Sequence, residues 1–323
     1  MKIFVTGASG FVGGAIAKEL ISKKHTVLAL SRSETSDQAL RSMGAQVVRG
    51  SLGSVDPSLL KGVDALVHCA AFVGPWGTRK DFWDANVEGT LQLLEAAKSA
   101  GIKRFIHMGT EAALFHGQNM VEIDETYPYP KSTPYLYSET KAAAEQAVLA
   151  ANSKTFQTFS LRPRFVWGPG DTSILPVLLK MVSEGKFLWI DGGKAKTSTT
   201  YIGNLVHATE LALTKGNGGN AYFVTDGLDQ PFRSFLTEMM RTQGVELPSG
   251  SVPSALAGTL AWIVEGVWRL FRIAKEPPLM RFATDIMGRE CTIKIDKARR
   301  ELGYEPVVDV SSGLEAMKVQ VKH

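Results

Sequence analysis

Three glycines at a fixed interval, set between an apolar run and an amphipathic one, restrict this chain more than any other feature. Residues 2–6 read as a short buried strand. Gly7-Ala8-Ser9-Gly10-Phe11-Val12-Gly13 follows, and a helical pattern continues through Leu20, Ile21 and Lys23. A strand that turns through glycines into a helix brings backbone N–H groups at a helix N-terminus close to a pyrophosphate. The spacing is G-x-x-G-x-x-G, not the commoner G-x-G-x-x-G, yet it meets the same needs: a tight turn, close backbone approach, and close packing of helix on strand. The expected fold is therefore α/β: a Rossmann-like, doubly wound parallel sheet opening on a dinucleotide site.

The following residues keep that rhythm. Segments 26–30, 47–49, 65–69 and 104–108 are short and apolar or β-branched, as central parallel strands should be. Past the second strand comes Ser31-Arg32-Ser33, with no carboxylate before Glu34. A carboxylate there would accept the ribose hydroxyls of NAD, whereas a basic residue accommodates the 2′-phosphate of NADP. The expected cofactor is NADP (NADPH) rather than NAD, with Arg32 on the phosphate and Ser31 or Ser33 assisting; a solvated surface arginine is the bland alternative. The fourth strand ends in His68-Cys69-Ala70-Ala71, where Ala70 and Ala71 leave room for a cofactor. A long amphipathic helix is expected over 82–99, carrying Asn86-Val87-Glu88-Gly89-Thr90, and the fifth strand opens into Gly109-Thr110-Glu111.

After a Pro-rich loop comes Tyr137-Ser138-Glu139-Thr140-Lys141. On a helix, Tyr137 and Lys141 share a face. An ammonium beside a phenol favours the phenolate, lowering a pKa that is about 10 when unperturbed, so the tyrosine becomes usable as an acid or base. A Y-x-x-x-K match alone is weak; a dinucleotide site before it gives it force.

Bulk properties exclude other classes. With 44% apolar and 21% charged residues the chain is neither disordered nor collagen-like. A net charge of +4, spread along the chain, argues against dedicated nucleic-acid binding while suiting an anionic cofactor. Cys69 and Cys291 form no disulfide framework, and the six histidines show no metal-ligand spacing, so no metal is expected. Met1 leads directly into the first strand, leaving no room for a signal peptide; a cytoplasmic protein is expected.

Taken in order, these pieces resemble an extended short-chain dehydrogenase/reductase. The residues that carry the resemblance are the TGxxGxxG turn from Thr6 to Gly13, the HxAA strand end, the NVxGT helix, the Tyr137/Lys141 pair, and Arg162-Pro163 through Gly168-Pro169-Gly170-Asp171. The second half is similar to 3β-hydroxysteroid and sterol dehydrogenases, through Thr200-Tyr201-Ile202-Gly203-Asn204-Leu205-Val206-His207-Ala208, Glu276-Pro277-Pro278-Leu279-Met280-Arg281-Phe282 and Leu302-Gly303-Tyr304-Glu305-Pro306. The resemblance implies a Rossmann domain over 1–185 and a smaller substrate lobe over 186–323, interleaved with the last sheet strands. It implies catalytic roles for Tyr137, Lys141 and Thr110, the last standing where the family has serine, and a supporting role for Asn86 in placing Lys141. Cofactor contacts are implied for Gly7, Ser9, Gly10, Phe11, Val12, Gly13, Ala70, Ala71, Pro163, Phe165 and Val166. On the adenine side they fall to Ser51 and Leu52, where the family's acidic residue is absent. A homodimer, through the helices near 82 and 135, follows the same pattern.

The substrate side gives mainly apolar character. Leu256, Leu260, Ile263, Val264, Val267, Leu270 and Phe271 fall on one helical stripe within 255–271, with Glu265 and Arg269 opposite. Three readings stay open: a cover over the substrate pocket, plain packing, and a peripheral membrane contact flanked by Trp262 and Trp268. Trp76, Phe115, Phe165, Trp167 and Trp189 are candidate pocket residues. Phe165 stands near the place where sugar-nucleotide enzymes of the superfamily carry an asparagine, which favours a hydrophobic small-molecule substrate. The expected activity is interconversion of a ketone and a secondary alcohol on a sterol-like or long-chain β-keto compound, with reduction favoured. A nucleotide-sugar epimerase or dehydratase, and a non-catalytic NADPH-binding sensor, are the alternatives.

Overall fold

The computed structural model describes residues 1–74, 76–273 and 275–318. Seven strands make the central sheet: β1 (Lys2–Thr6), β2 (Thr26–Ser31), β3 (Gln46–Arg49), β4 (Ala65–His68), β5 (Arg104–Met108), β6 (Gln157–Pro163) and β7 (Asn220–Val224). Their spatial order is 3-2-1-4-5-6-7, and every neighbouring pair is parallel. The order reverses direction between β1 and β4, and a parallel sheet offers its ligand crevice outside the carboxyl ends of the strands at that point.

Side chains alternate across this sheet. Ile3 and Val5 of β1 face a core shared with Ile16, Leu20 and Leu205, whereas Phe4 faces Leu93, Leu94 and Val148 on the other side. Burial on both faces is why the strands read as continuous apolar runs. Helix α1 (Phe11–Ser22) follows β1 directly, and its buried Gly13, Gly14, Ile16, Ala17 and Leu20 lie against the sheet. A third cluster, with Trp167, Trp189, Phe232, Phe235 and Met239 at its centre, forms the core of the C-terminal segments. Beside it a four-stranded sheet joins Met120–Ile123, Cys291–Ile293, Lys196–Ser198 and Asp229–Pro231.

The helix expected over 82–99 is not continuous. A short helix over Arg79–Trp83 widens into one π turn, Asp84–Glu88, before α2 (Gly89–Ser99) begins. Such π turns in a longer helix recur at functional sites. Here the turn carries Asn86, whose side chain bonds the backbone of Phe72. Helix α3 (Leu136–Ala150) carries Tyr137 and Lys141.

Helix α4 (Ser254–Leu270) overturns the plain-packing reading of its apolar stripe. Only Ala257 and Ala261 are buried, because the helix packs against α5 (Arg281–Gly288) through small residues. Leu256, Leu260, Ile263, Val267, Leu270 and Phe271 are exposed, as is Trp262; Leu270 reaches 76% and Phe271 70%. At its C-terminal end the helix meets the loop before residue 79: Trp76 donates to the carbonyl of Ile273 at 3.3 Å, and Arg269 lies over the Trp76 ring at 5.0 Å. No helix among the described residues is long and apolar enough to cross a membrane.

Two tryptophans and one phenylalanine considered as pocket residues belong to the interior. Trp167 donates to Asp226 at 2.9 Å and Trp189 to the carbonyl of Pro248 at 2.8 Å; both are fully buried. Phe115 stacks on Tyr135 with ring centroids 5.5 Å apart. Each satisfies its own packing and polar needs within the fold.

Candidate active site

The glycine turn fits a pyrophosphate by its shape. A Cβ on Gly7 would stand 2.7 Å from the backbone nitrogen of Ala70, and one on Gly13 would stand 2.3 Å from the carbonyl oxygen of Gly7, so neither position admits a side chain. Gly7 also takes a positive φ of 71°. The N-terminus of α1 has no side-chain cap and no acidic residue in its first turn, which leaves its N–H groups and positive dipole end for an anion. Ser9 and Gly10 are exposed at the tip, with Phe11 and Val12 half-buried behind them.

A buried relay of hydrogen bonds connects this turn to its neighbours. Thr90 donates to the carbonyl of Asn86 at 2.7 Å, so its oxygen accepts from His68 Nε2 at 2.9 Å. The opposite nitrogen, Nδ1, is then the bare one and accepts from the Thr6 hydroxyl at 2.7 Å. Thr6 in turn accepts from the backbone of Ala70 at 3.1 Å. Burial first, and the Lys141 charge second, push the His68 pKa down to about 3, so the imidazole stays neutral and serves as a spacer. The TG, HxAA and NVxGT segments are thus one hydrogen-bonded unit.

At the adenosine end, Arg32 is exposed just past β2. Ser31 donates to the carbonyl of Ser33 at 3.2 Å, and Ser33 accepts from Ser36 as the cap of the helix over Glu34–Met43. The serines therefore shape the turn that presents Arg32. Arg49, in register with Ser31 on β3, adds a second guanidinium, paired to Asp37 at 2.7 Å. It escaped sequence reasoning, although its place as the last residue of an edge strand was the available signal. Ser51 is exposed and Leu52 half-buried beside this edge.

Asn86 is buried. Its Oδ1 accepts from Phe72 N at 2.6 Å, and its Nδ2 donates to Phe72 O and to Thr140 Oγ1, each at 3.1 Å. It thereby fixes the Ala71–Phe72 backbone and the turn of α3 next to Lys141, and it reaches Lys141 through that turn. Pro163 closes β6 opposite Val224. Phe165, in the left-handed region at φ 42°, packs edge-on against Phe232 and Phe235, and Val166 pairs with Thr200.

Tyr137 and Thr110 lie near one another at the carboxyl end of β5, close enough for Thr110 to act on the phenol's titration. Phe282 of α5 lies edge-on to the Tyr137 ring at 5.8 Å and also touches Tyr135 at 5.4 Å. Asp285, one turn further, accepts from the Tyr135 hydroxyl. Lys141 is buried, donates to the carbonyl of Met108 at 2.7 Å and stands 3.2 Å from His107 Nε2.

The expected acidification of Tyr137 is reversed. Burial, and then the nearby charge of Glu111, hold the phenol above its ordinary range, with only the Thr110 contact opposing them. Lys141 does not offset this, because its ammonium points to Met108 and His107; burial pushes its own pKa down to about 8. The site therefore holds a protonated phenol beside a hydroxyl, at the carboxyl end of β5 and one strand beyond the switch point of the sheet. Such a pair can hydrogen-bond a substrate oxygen and deliver a proton to it.

Comparison with known proteins adds identity. The family model described as 3-beta hydroxysteroid dehydrogenase/isomerase matches residues 4–254. A 4-hydroxy-2-methyl-3-oxo-4-farnesyl-3,4-dihydroquinoline-1-oxide ketoreductase of Stigmatella aurantiaca is 40% identical, covering 98% of this chain and 96% of that protein. A 2-alkyl-3-oxoalkanoate reductase of Stenotrophomonas maltophilia (strain K279a) is 35% identical over 98% of each. Among solved structures, the UDP-glucuronic acid 4-epimerase of Bacillus cereus with NAD superposes with a TM-score of 0.75 at 23% identity, covering 98% of this chain and 97% of that one.

Proposed function

The chain belongs to the 3-beta hydroxysteroid dehydrogenase/isomerase family, among the extended short-chain dehydrogenases/reductases acting on CH–OH groups, and on that premise we propose that it reduces a ketone on a hydrophobic substrate with NADPH. The observation that carries this reading is the protonated Tyr137 phenol set beside Thr110 where β5 ends, next to the glycine turn. The glycine turn would hold the pyrophosphate of a nicotinamide cofactor, which would supply the hydride for the carbonyl carbon. Tyr137 gives its proton to the carbonyl oxygen, and Thr110 lies beside that oxygen to accept from the alcohol O–H that forms. A protonated phenol is the form that can give a proton to a ketone oxygen. Lys141 holds the ribose side of the site, supported by Asn86 through Thr140.

Arg32, with Arg49 beside it, is the proposed holder of the 2′-phosphate, making NADP the preferred cofactor over NAD. The substrate class is a sterol-like or long-chain β-keto compound, a reading supported by relatives named for a farnesyl-bearing ketone and an alkyl-oxoalkanoate. The exposed stripe of α4, with Arg269, Arg272 and Lys275 exposed around its C-terminal end, suits peripheral contact with an anionic lipid surface on a cytoplasmic enzyme. A homodimer through α2 and α3 completes the proposal, as does the division into 1–185 and 186–323.

The likeness to an epimerase structure keeps a nucleotide-sugar reading in view. NADPH oxidation against 3-ketosteroids, long-chain β-keto acids and UDP-sugars separates the two. The expected result is net oxidation with a lipophilic ketone and none with UDP-sugars; turnover of a UDP-sugar without net oxidation would replace the proposal. In the same assay Arg32→Asp should lower the NADP over NAD preference about tenfold or more, the scale of one charge-assisted hydrogen bond. An unchanged preference would remove Arg32 from the site.

A further inference from the structure

Two buried charges beside Tyr137 have no part in the proposed reaction so far. Glu111 follows Thr110 in the chain and is 3% exposed; Arg164 lies past β6 and is 4% exposed. Their side chains meet at 2.6 Å, Arg164 Nη1 donating to Glu111 Oε1. The other carboxylate oxygen accepts from the Thr110 hydroxyl at 2.8 Å. Arg164 also donates from Nε to Thr197 at 2.9 Å and from Nη2 to the carbonyl of Ile286 in α5 at 3.5 Å. A buried ion pair of this kind is weak evidence for stability, since desolvation offsets most of its attraction. Its position argues for something else.

A threonine hydroxyl has one proton. With that proton given to Glu111 and one lone pair taken by the backbone N–H of Ala112 at 3.2 Å, Thr110 has a single acceptor site left to offer a substrate. We propose that the Glu111–Arg164 pair is a positioning element that fixes the polarity of the Thr110 hydroxyl, making it an acceptor for the O–H of a substrate alcohol rather than a donor to a ketone. The inference rests on the ketone–alcohol reading above. It makes Tyr137 the sole donor to the ketone oxygen and makes Thr110 a selective partner of the alcohol. The contact between Arg164 and Ile286 ties the same setting to α5, whose Phe282 lies against Tyr137.

Glu111→Gln tests the idea with little change of shape. Arg164 has only donors, so it draws the amide oxygen to itself and leaves the amide NH2 facing Thr110. Thr110 must then accept from Gln, and its own proton becomes free for a ketone. The expected result is an alcohol KM raised about tenfold with a ketone KM that falls, a split on the scale of one hydrogen bond. In a Thr110→Ala background the same substitution should leave the ratio of the two KM values unmoved, because the effect runs through Thr110.

The pH profile gives a second readout. Among the described residues the titratable group acting on Tyr137 is Glu111 from the turn after β5; Lys141, one turn along α3, points to Met108 and His107, and α5 lays Phe282 against the ring, while Glu111 itself faces Arg164 and Cys291. Loss of the Glu111 charge should therefore move the Tyr137 titration to lower pH. Ultraviolet titration of the phenol, by difference from Tyr137→Phe, reads this without turnover. If no ketone or alcohol is processed, the function reading fails, and the titration still decides whether Glu111 acts on this site. Should Glu111→Gln not fold, Glu111→Gln with Arg164→Met removes the pair without leaving a lone buried charge. Equal changes in both KM values, an unmoved phenol titration, or additivity with Thr110→Ala would each reduce the pair to a structural strut.

Discussion

Helices α3 and α4 are nearly inverse to one another. Along α3 the buried residues include Ser138, Thr140, Lys141 and Glu145, and along α4 the exposed ones include Leu256, Leu260, Trp262, Ile263, Val267 and Leu270. Polar side chains inside and apolar ones outside are both costly on their own. For the charged residues of α3 the cost is offset by partners: Glu145 takes Arg162, Ser160 and Tyr129, and Lys141 takes Met108 and His107. In α4 the described residues supply no cover, and the partner proposed for it is a lipid surface. The first helix is organised by the protein's own charges, and the second leaves its apolar side chains exposed.

The largest effect should follow from breaking α3. Glu145→Ala leaves the Arg162 guanidinium buried without its carboxylate, and the loss of an unfolding free energy of about 3–5 kcal/mol is expected from removing one partner of a buried pair. Denaturant unfolding measures it; a loss below about 1 kcal/mol would mean that water reaches Arg162 and that α3 is not organised as described. Next in size, Tyr137→Phe should leave NADPH binding intact and lower turnover about 10²-fold or more, the range of acid–base catalysis. Near wild-type turnover would sink the proton-transfer role.

The two helices also differ in how much of them could be read beforehand. The parallel sheet follows from apolar runs spaced by glycine and helix signals, because burial on both faces leaves a strong compositional trace. The i,i+4 placement of Tyr137 and Lys141 is local, and so it is legible. The direction of the Lys141 ammonium is not, since it depends on Met108 and His107 from a strand 33 and 34 residues earlier in the chain. The relay Thr90–His68–Thr6 was visible only as separate motifs; the tautomer that joins them needs the distances. The stripe on α4 was read correctly as a stripe, yet its orientation was decided by Ala257 and Ala261, which hydrophobicity ranks below leucine and tryptophan. Glu111 and Arg164 were invisible as a pair because β6 lies between them in sequence.

Lys141 gives a smaller test with a definite sign. Its pKa in the fold is pushed from an ordinary 10.5 down to about 8, by burial above all. Between those values the unfolded chain binds more protons than the native one, so stability should rise with pH across that window. Lys141→Met should flatten the rise, as measured by unfolding midpoints at the two ends. A slope that survives the substitution would assign it to another buried base and weaken the picture of α3 as a helix holding a reluctant charge.

The smallest effects are expected on α4, and their smallness is the point. Leu260→Ser or Leu270→Ser should change stability by no more than about 0.5 kcal/mol, because side chains already in water lose little contact. Ala261→Leu, on the inner face, should cost about 1–3 kcal/mol by overpacking against α5. Flotation with phosphatidylglycerol-containing vesicles then asks what the outer face is for: wild-type protein should float with the vesicles, and Leu270→Ser with Phe271→Ser should not, while ketone reduction in detergent stays unchanged. If instead Leu270→Ser destabilised the protein as much as Ala261→Leu, the stripe would be covered by protein after all. A second copy of the chain, seen as a dimer lost on substitution, would then be its partner. The contrast with α3 would survive only as a contrast between an internal partner and a subunit.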